Sequence, residues 1–171
     1  GTDHASFDLV TKEVSTIGDI FGVPDKARTL NDELTGQVKD LTSQASKDSR
    51  HSAAALWVEA GNSGFYTYGT SSMVQPILEA NGLRNVYDGE KKRVFDATME
   101  DVLNRDPEWI VLLAQEGDIA KTKPAFLKYK GASQLQAVRK NQVVVIPFSL
   151  TDPPTPQSIK GAVELNKLLK K

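Results

Sequence analysis

The stretch AAALWVEAG, residues 53–61, runs through six apolar residues and then breaks at a glycine two positions after Glu59. A run this short is strand-length. It lacks polar–apolar alternation, so it reads as a strand covered on both faces. Two more stretches have the same character: WIVLLA at 109–114 and the β-branched VVVIPF at 143–148. Between and around them the apolar period changes to that of a helix. Phe7, Val10, Val14, Ile17 and Phe21 recur at spacings of 3, 4, 3 and 4, which is one face of a helix. Gly22 offers it a left-handed cap, and Pro24 sits where a second helix can start and run through Ala27, Leu30, Leu34, Val38 and Leu41. MVQPILEANG reads as a helix that stops at Asn81-Gly82, and a last helix is expected from about Pro156 to Leu169. NVY is a short strand, whereas GNSGFYTYGTSS reads as a loop and KKRVFDA as irregular. Apolar strands separated by helices predict an α/β fold: a three-layer α/β/α sandwich around a mainly parallel sheet. In such sheets ligands sit outside the carboxyl ends of the strands. Three loops are expected there: Gly61–Thr70, Gln115–Lys121 and Ser149–Thr155.

Composition narrows the function classes. With 171 residues, the chain has enough material for one sizeable core and not for two. Lys and Arg total 21 against 22 for Asp and Glu, so the electrostatic footprint of a nucleic-acid binder is missing. There is no cysteine, which excludes disulfides, thiolate metal sites and cysteine nucleophiles. No apolar run approaches the roughly 18 residues of a membrane span, and the polar start GTDHASFD is not itself a signal peptide. His4 and His51 stand in polar segments without metal-ligand spacing, so they read as solvated side chains. Neither a nucleophile elbow nor a phosphate-binding loop follows a strand. No catalytic residue, resident cofactor or metal is expected.

Two features rise above this background. Phe65, Tyr66 and Tyr68 form an aromatic cluster in a glycine-flanked segment after the first strand, where flat area and phenol hydroxyls suit recognition. The competing reading folds one or two of them over the core. The second feature is Glu100. Thr98-Met99-Glu100-Asp101 resembles a capping box, and an acid in a first helical turn is favoured by the macrodipole without any function.

Four ordered segments give Glu100 a context. EVSTIGDIFGVPDKARTL, GTSSMVQPILEANGLRNVYD, DATMEDVLNRDPEWIVLL and LQAVRKNQVVVIPF together resemble the C-terminal lobe of an ABC-transporter substrate-binding protein of the iron-siderophore, haem and cobalamin class. The resemblance spans roughly residues 8–170. It implies an interdomain helix with its lead-in at 1–22 and the α/β lobe at 23–171. It also implies a ligand, a ferric siderophore or related chelate, held between this lobe and another and handed to a permease outside the cytoplasm. That location is the periplasm or the cell surface, with lipid attachment through sequence upstream of Gly1. Phe65, Tyr66 and Tyr68 match the family's cleft-facing loop. Gln115, Phe148 and Thr151 follow the other two strands as further ligand contacts, and Glu100 matches the glutamate that docks the permease. One departure stands out: PPTPQSIKG opens the last helix with Gln157 where many relatives carry an arginine, which favours a less charged chelate, such as a hydroxamate, over a strongly anionic catecholate. The alternatives from other classes are a free-standing flavodoxin-like regulatory domain and a small hydrolase. The strand ends Glu59, Gln115 and Phe148 hold no aspartate cluster for the first, and no nucleophile–base pair is present for the second.

Overall fold

The computed structural model describes residues 3–45, 50–58 and 64–171. In chain order the elements are α1 (Asp8–Ile20), α2 (Pro24–Ala45), β1 (His51–Val58), β2 (Gly64–Tyr68), α3 (Val74–Ala80), β3 (Leu83–Asn85), β4 (Val94–Thr98), α4 (Met99–Arg105), β5 (Trp109–Ala114), α5 (Ile119–Leu127), α6 (Gln136–Arg139), β6 (Val143–Pro147) and α7 (Pro156–Leu169). The three apolar runs are β1, β5 and β6, lying side by side and parallel. Their central residues are closed to solvent on both faces: Ala53, Ala54, Leu56, Ile110 and Leu112 are each 0% exposed.

One side of β1 has two neighbours. Its first residues pair in parallel with β3, through His51–Leu83 to Ala53–Asn85, and its last residues pair antiparallel with β2, through Leu56–Thr67 to Val58–Phe65. β4 then pairs antiparallel with β2, completing the order β4-β2-β1-β5-β6. The sheet is therefore mixed, and the mainly parallel expectation holds only for β3, β1, β5 and β6. The expected loop Gly61–Thr70 contains a strand, and the expected irregular KKRVFDA contains another. GFYTY is rich in aromatic and β-branched residues that suit a pleated surface, but its flanking glycines masked the signal. β4 is an edge strand with only Ala97 buried, so it carries almost no apolar pattern. Residues 59–63, including the expected glycine turn and the strand end Glu59, lie outside the described residues.

Helices cover both faces. Val102, Phe126, Leu135 and Ala137 of the α4–α6 side pack on Ala54, Leu56, Ile110 and Leu112. Leu41, Ile77, Leu78 and Leu165 pack on the opposite side chains Ala53, Ala55, Val111 and Leu113. A third cluster of Ala5, Val10, Leu34, Met73 and Ile159 seats the α1–α2 hairpin, which turns at Gly22 with φ +68° as the sequence predicts. The apolar stripe of α1 is only half used. Val10 is fully buried, whereas Ile17, Ile20 and Phe21 are 46%, 71% and 75% exposed.

α2 and α7 run alongside each other and finish together, with Lys170 Nζ donating to Gln44 Oε1 at 2.7 Å. They have 22 and 14 residues, so at 1.5 Å per residue α2 extends about 12 Å past the start of α7. That start follows the carboxyl end of β6. The α1–α2 tip therefore projects beyond the same edge of the sheet to which the ligand-binding prediction points.

Candidate solute-binding edge

β1 and β2 meet at the carboxyl edge of β1, and their register decides which aromatic rings reach solvent. Tyr66 is the direct partner of Trp57, so the two rings share a face of the sheet. Phe148, immediately after β6, closes on Trp57 edge-on, with ring centroids 5.2 Å apart and planes at 71°. Tyr66 is 42% exposed, and Trp57 and Phe148 are half-buried. Together they form an open aromatic ledge built from β1, β2 and the β6 exit. Trp57 escaped the sequence reading because it lies inside an apolar strand. Its place next to the strand end is the signal that would have found it.

Strand alternation takes Phe65 away from this ledge, and burial takes Tyr68 and Thr151. Phe65 points to the opposite face, is 3% exposed, and packs 5.8 Å from Phe126 and 4.9 Å from Tyr129. Tyr68 shares the face of Tyr66 but is also 3% exposed, lying deeper in the sheet among the α3-side core residues. Burial pushes its phenol pKa up, the neighbouring Asp152 charge adds to this, and Arg93 opposes it. Thr151 is 1% exposed, and its hydroxyl donates to the Phe148 carbonyl at 2.6 Å, so it braces the turn that carries Phe148. Gln115 remains exposed at the end of β5. Its loop is tied to the β6 exit by Ser149 Oγ donating to Glu116 Oε1 at 3.2 Å.

Beside Phe148 lies a groove of about 370 Å³ with Leu9, Met73, Pro153 and Pro154 among its apolar walls. Its charged residues are Asp152 and Arg93, 59 positions apart in sequence, which is why no local motif revealed them. The Asp152 carboxylate accepts from Ser72 Oγ at 2.9 Å and from the Met73 N–H at 3.0 Å. Arg93 Nη1 stands 3.5 Å from it.

Glu100 is exposed in the first turn of α4. Thr98 caps that helix by accepting from the Asp101 N–H at 3.1 Å, as the capping-box spacing predicts. Asp101 does not reciprocate; it accepts from the Tyr87 hydroxyl at 2.7 Å. Arg105 donates to the Val86 carbonyl at 2.7 Å, with its guanidinium 4.4 Å from the centroid of the Tyr87 ring. Thr98 is the register partner of Gly64, so Glu100 emerges at the same edge as the aromatic ledge.

The histidines are exposed but paired, His4 with Glu79 at 2.9 Å and His51 with Glu108 at 2.7 Å. Among the described residues, no group of three or more His, Cys, Asp or Glu is placed to hold a metal, and no helix is long and apolar enough to cross a membrane.

A family described as periplasmic binding protein matches residues 3–150. The chain belongs to the periplasmic binding protein family. The fold expected from the resemblance is the one found, and the flavodoxin-like alternative gives way to it. An ABC-type Fe3+-hydroxamate transport protein from Saccharomonospora viridis is 37% identical with a TM-score of 0.91, over 98% of this chain and 57% of that one. The high-affinity heme uptake protein IsdE of Staphylococcus aureus is 25% identical over 157 residues, 87% of this chain and 53% of its own length. The vitamin B12 binding protein BtuF of Vibrio cholerae shares the fold at a TM-score of 0.80 with 16% identity, over 98% of this chain and 62% of that one. The chain thus spans about half the length of the curated relatives it matches. As a periplasmic binding protein chain it belongs outside the cytoplasm.

Proposed function

We propose that this chain is one lobe of the solute-binding component of an ABC importer, which captures an iron-siderophore or similar metal chelate and delivers it unchanged to a permease. The observation that carries this reading is the Trp57–Tyr66–Phe148 ledge, open at the carboxyl edge of the strands in a chain of the periplasmic binding protein family. Aromatic rings supply large contact area at small entropic cost, and the Tyr66 hydroxyl adds a hydrogen bond to a polar rim. The 37%-identical S. viridis protein, whose description names an Fe3+-hydroxamate system, favours a hydroxamate as the cargo. The chelate is cargo, and its iron is held by the chelator rather than by protein side chains.

Glu100 is the proposed permease contact. It is exposed on a helix pinned by Thr98, Tyr87 and Arg105, so its position is fixed while its carboxylate stays available. A charged docking contact of this kind sets orientation and encounter rate more than affinity. The protein works in the periplasm or on the cell surface, and lipid attachment through sequence upstream of Gly1 would hold it there in a surface form.

The direct test titrates the full-length gene product with a ferric trihydroxamate, hemin and cobalamin while following tryptophan and tyrosine fluorescence. One of them should quench the signal, and Trp57→Ala together with Tyr66→Ala should abolish that response. Silence across all three would remove the solute-binding reading. Glu100→Arg should leave both fold and solute affinity unchanged while cutting uptake in cells that have no other binding protein for the solute. Normal uptake there would remove the docking role alone.

A further inference from the structure

Between Asp118 and Asp152 the chain carries six lysines and arginines and no acidic residue, in a molecule whose net charge is −1. The fold sorts these cations by position. Arg139 and Lys140 precede β6, at the amino edge of the sheet, and Lys123 donates to Asn141 Oδ1 at 3.1 Å. Lys121, Lys128 and Lys130 are exposed, and among the described residues their side chains enter neither an ion pair nor a hydrogen bond. Lys121 sits in the first turn of α5, which follows the carboxyl end of β5. Lys128 and Lys130 flank Tyr129, whose ring packs 4.9 Å from that of Phe65 in β2. Gly131 then backs onto α4 so closely that a Cβ there would lie 3.2 Å from Met99 Cγ. This pair of lysines is therefore mounted next to the first turn of α4, where Glu100 stands. Leu127 ends α5 beside them and is 42% exposed.

Three unpaired cations around an exposed leucine suit a plane of anionic headgroups: the ammonium groups meet phosphates, and the leucine enters the boundary with the acyl chains. A small anion would need converging, fixed donors, which lysines on separate turns do not supply. Resting on the reading of Glu100 as the permease contact, which turns this edge toward the bilayer, we infer that Lys121, Leu127, Lys128 and Lys130 form a shelf that rests on anionic phospholipid while the lobe docks. Attraction of this kind fades over about 8 Å at physiological salt. The shelf therefore acts on a protein already close to the bilayer, and it turns the Glu100 edge toward the membrane.

The test sediments the full-length gene product, prepared without a lipid anchor, with two kinds of vesicle. One holds phosphatidylglycerol and phosphatidylcholine in equal parts, the other phosphatidylcholine alone. Wild type should bind only the anionic vesicles, and about 0.5 M salt should release it. Each lysine near such a surface is worth about fivefold in affinity, so Lys128→Gln together with Lys130→Gln should weaken binding about twenty-fivefold. Arg139→Gln together with Lys140→Gln, at the other edge of the sheet, should stay within about twofold of wild type. Both double variants should keep the wild-type midpoint in urea unfolding, since the four side chains are exposed. Equal binding to both vesicles, equal loss in the two double variants, or no binding at all overturns the shelf. If vesicles fail to bind but the Lys128/Lys130 variant still cuts uptake, the lysines meet the permease and the lipid role is overturned. None of these readouts involves solute, so the solute-binding reading stands or falls by its own titration.

Discussion

Phe65 and Tyr66 are adjacent in sequence and opposite in fate. The sequence groups them with Tyr68 as one recognition cluster, because composition registers aromatic character without the face it occupies. Once GFYTY is a strand, its period of two sends Phe65 against Phe126 and leaves Tyr66 beside Trp57. Stability and binding should therefore separate at these positions. Phe65→Ala should cost about 3–5 kcal/mol in chemical unfolding, whereas Tyr66→Ala should cost about 1 kcal/mol or less and act on solute affinity. A second residue-scale effect lies at the far end of β1. The hydrogen bond from His51 and the Ser52 N–H hold the Glu108 carboxyl below its ordinary 4.5. A carboxyl pKa depressed in the folded state stabilises the fold above the unfolded value and loses that contribution as pH falls through the lowered one. The Glu108 side chain is 37% exposed, so the effect is a few tenths of a kcal/mol. The stability difference between wild type and Glu108→Gln should be present near neutral pH and shrink as the solution is acidified below 4.5.

Elements were legible in the sequence in proportion to how much apolar surface they bury. The both-faces-buried strands β1, β5 and β6 and the amphipathic α1, α2 and α7 carry strong periodic signals. β4, half-exposed at the sheet edge, carries nearly none, and β2 is disguised by its glycines. Interior glycine can also mark close packing. A Cβ on Gly161 of α7 would lie 2.0 Å from the Leu150 carbonyl oxygen, so the helix can approach the β6 exit only with glycine there. α4 shows how a weak local signal is joined by ties that the sequence hides. Its cap was readable at Thr98, but the cross-chain ties from Tyr87 and Arg105 were not, because pairings distant in sequence leave no local pattern. Thr98→Ala should lower stability by about 1 kcal/mol in thermal or urea unfolding. If Glu100 docks the permease, the looser helix should also reduce uptake without changing solute affinity.

At the scale of the molecule, topology points to the carboxyl edge of the strands, since α/β sheets present ligands there, but which side chains meet at that edge was not legible. Arg93 and Asp152 meet only in the folded chain, as do Trp57 and Phe148. The relatives are nearly twice as long, and the projecting α1–α2 tip carries exposed Ile17, Ile20 and Phe21 past the same edge. A solute gripped between two walls loses most of its contact area when one is absent. In equilibrium titrations the 171-residue chain alone should therefore bind the solute far more weakly than the full-length gene product does. The divided flank of β1 has a consequence of its own. The amino half of that strand is secured by β3, and its carboxyl half by the β2–β4 ribbon, with Asn85 stapling the junction through the Tyr68 carbonyl at 2.9 Å and Gln75 at 3.0 Å. If a solute rests on the Trp57–Tyr66–Phe148 ledge, its Tyr66 contact is mounted on a graftable ribbon, and evolution or a designer can exchange that contact while the load on the parallel scaffold stays the same.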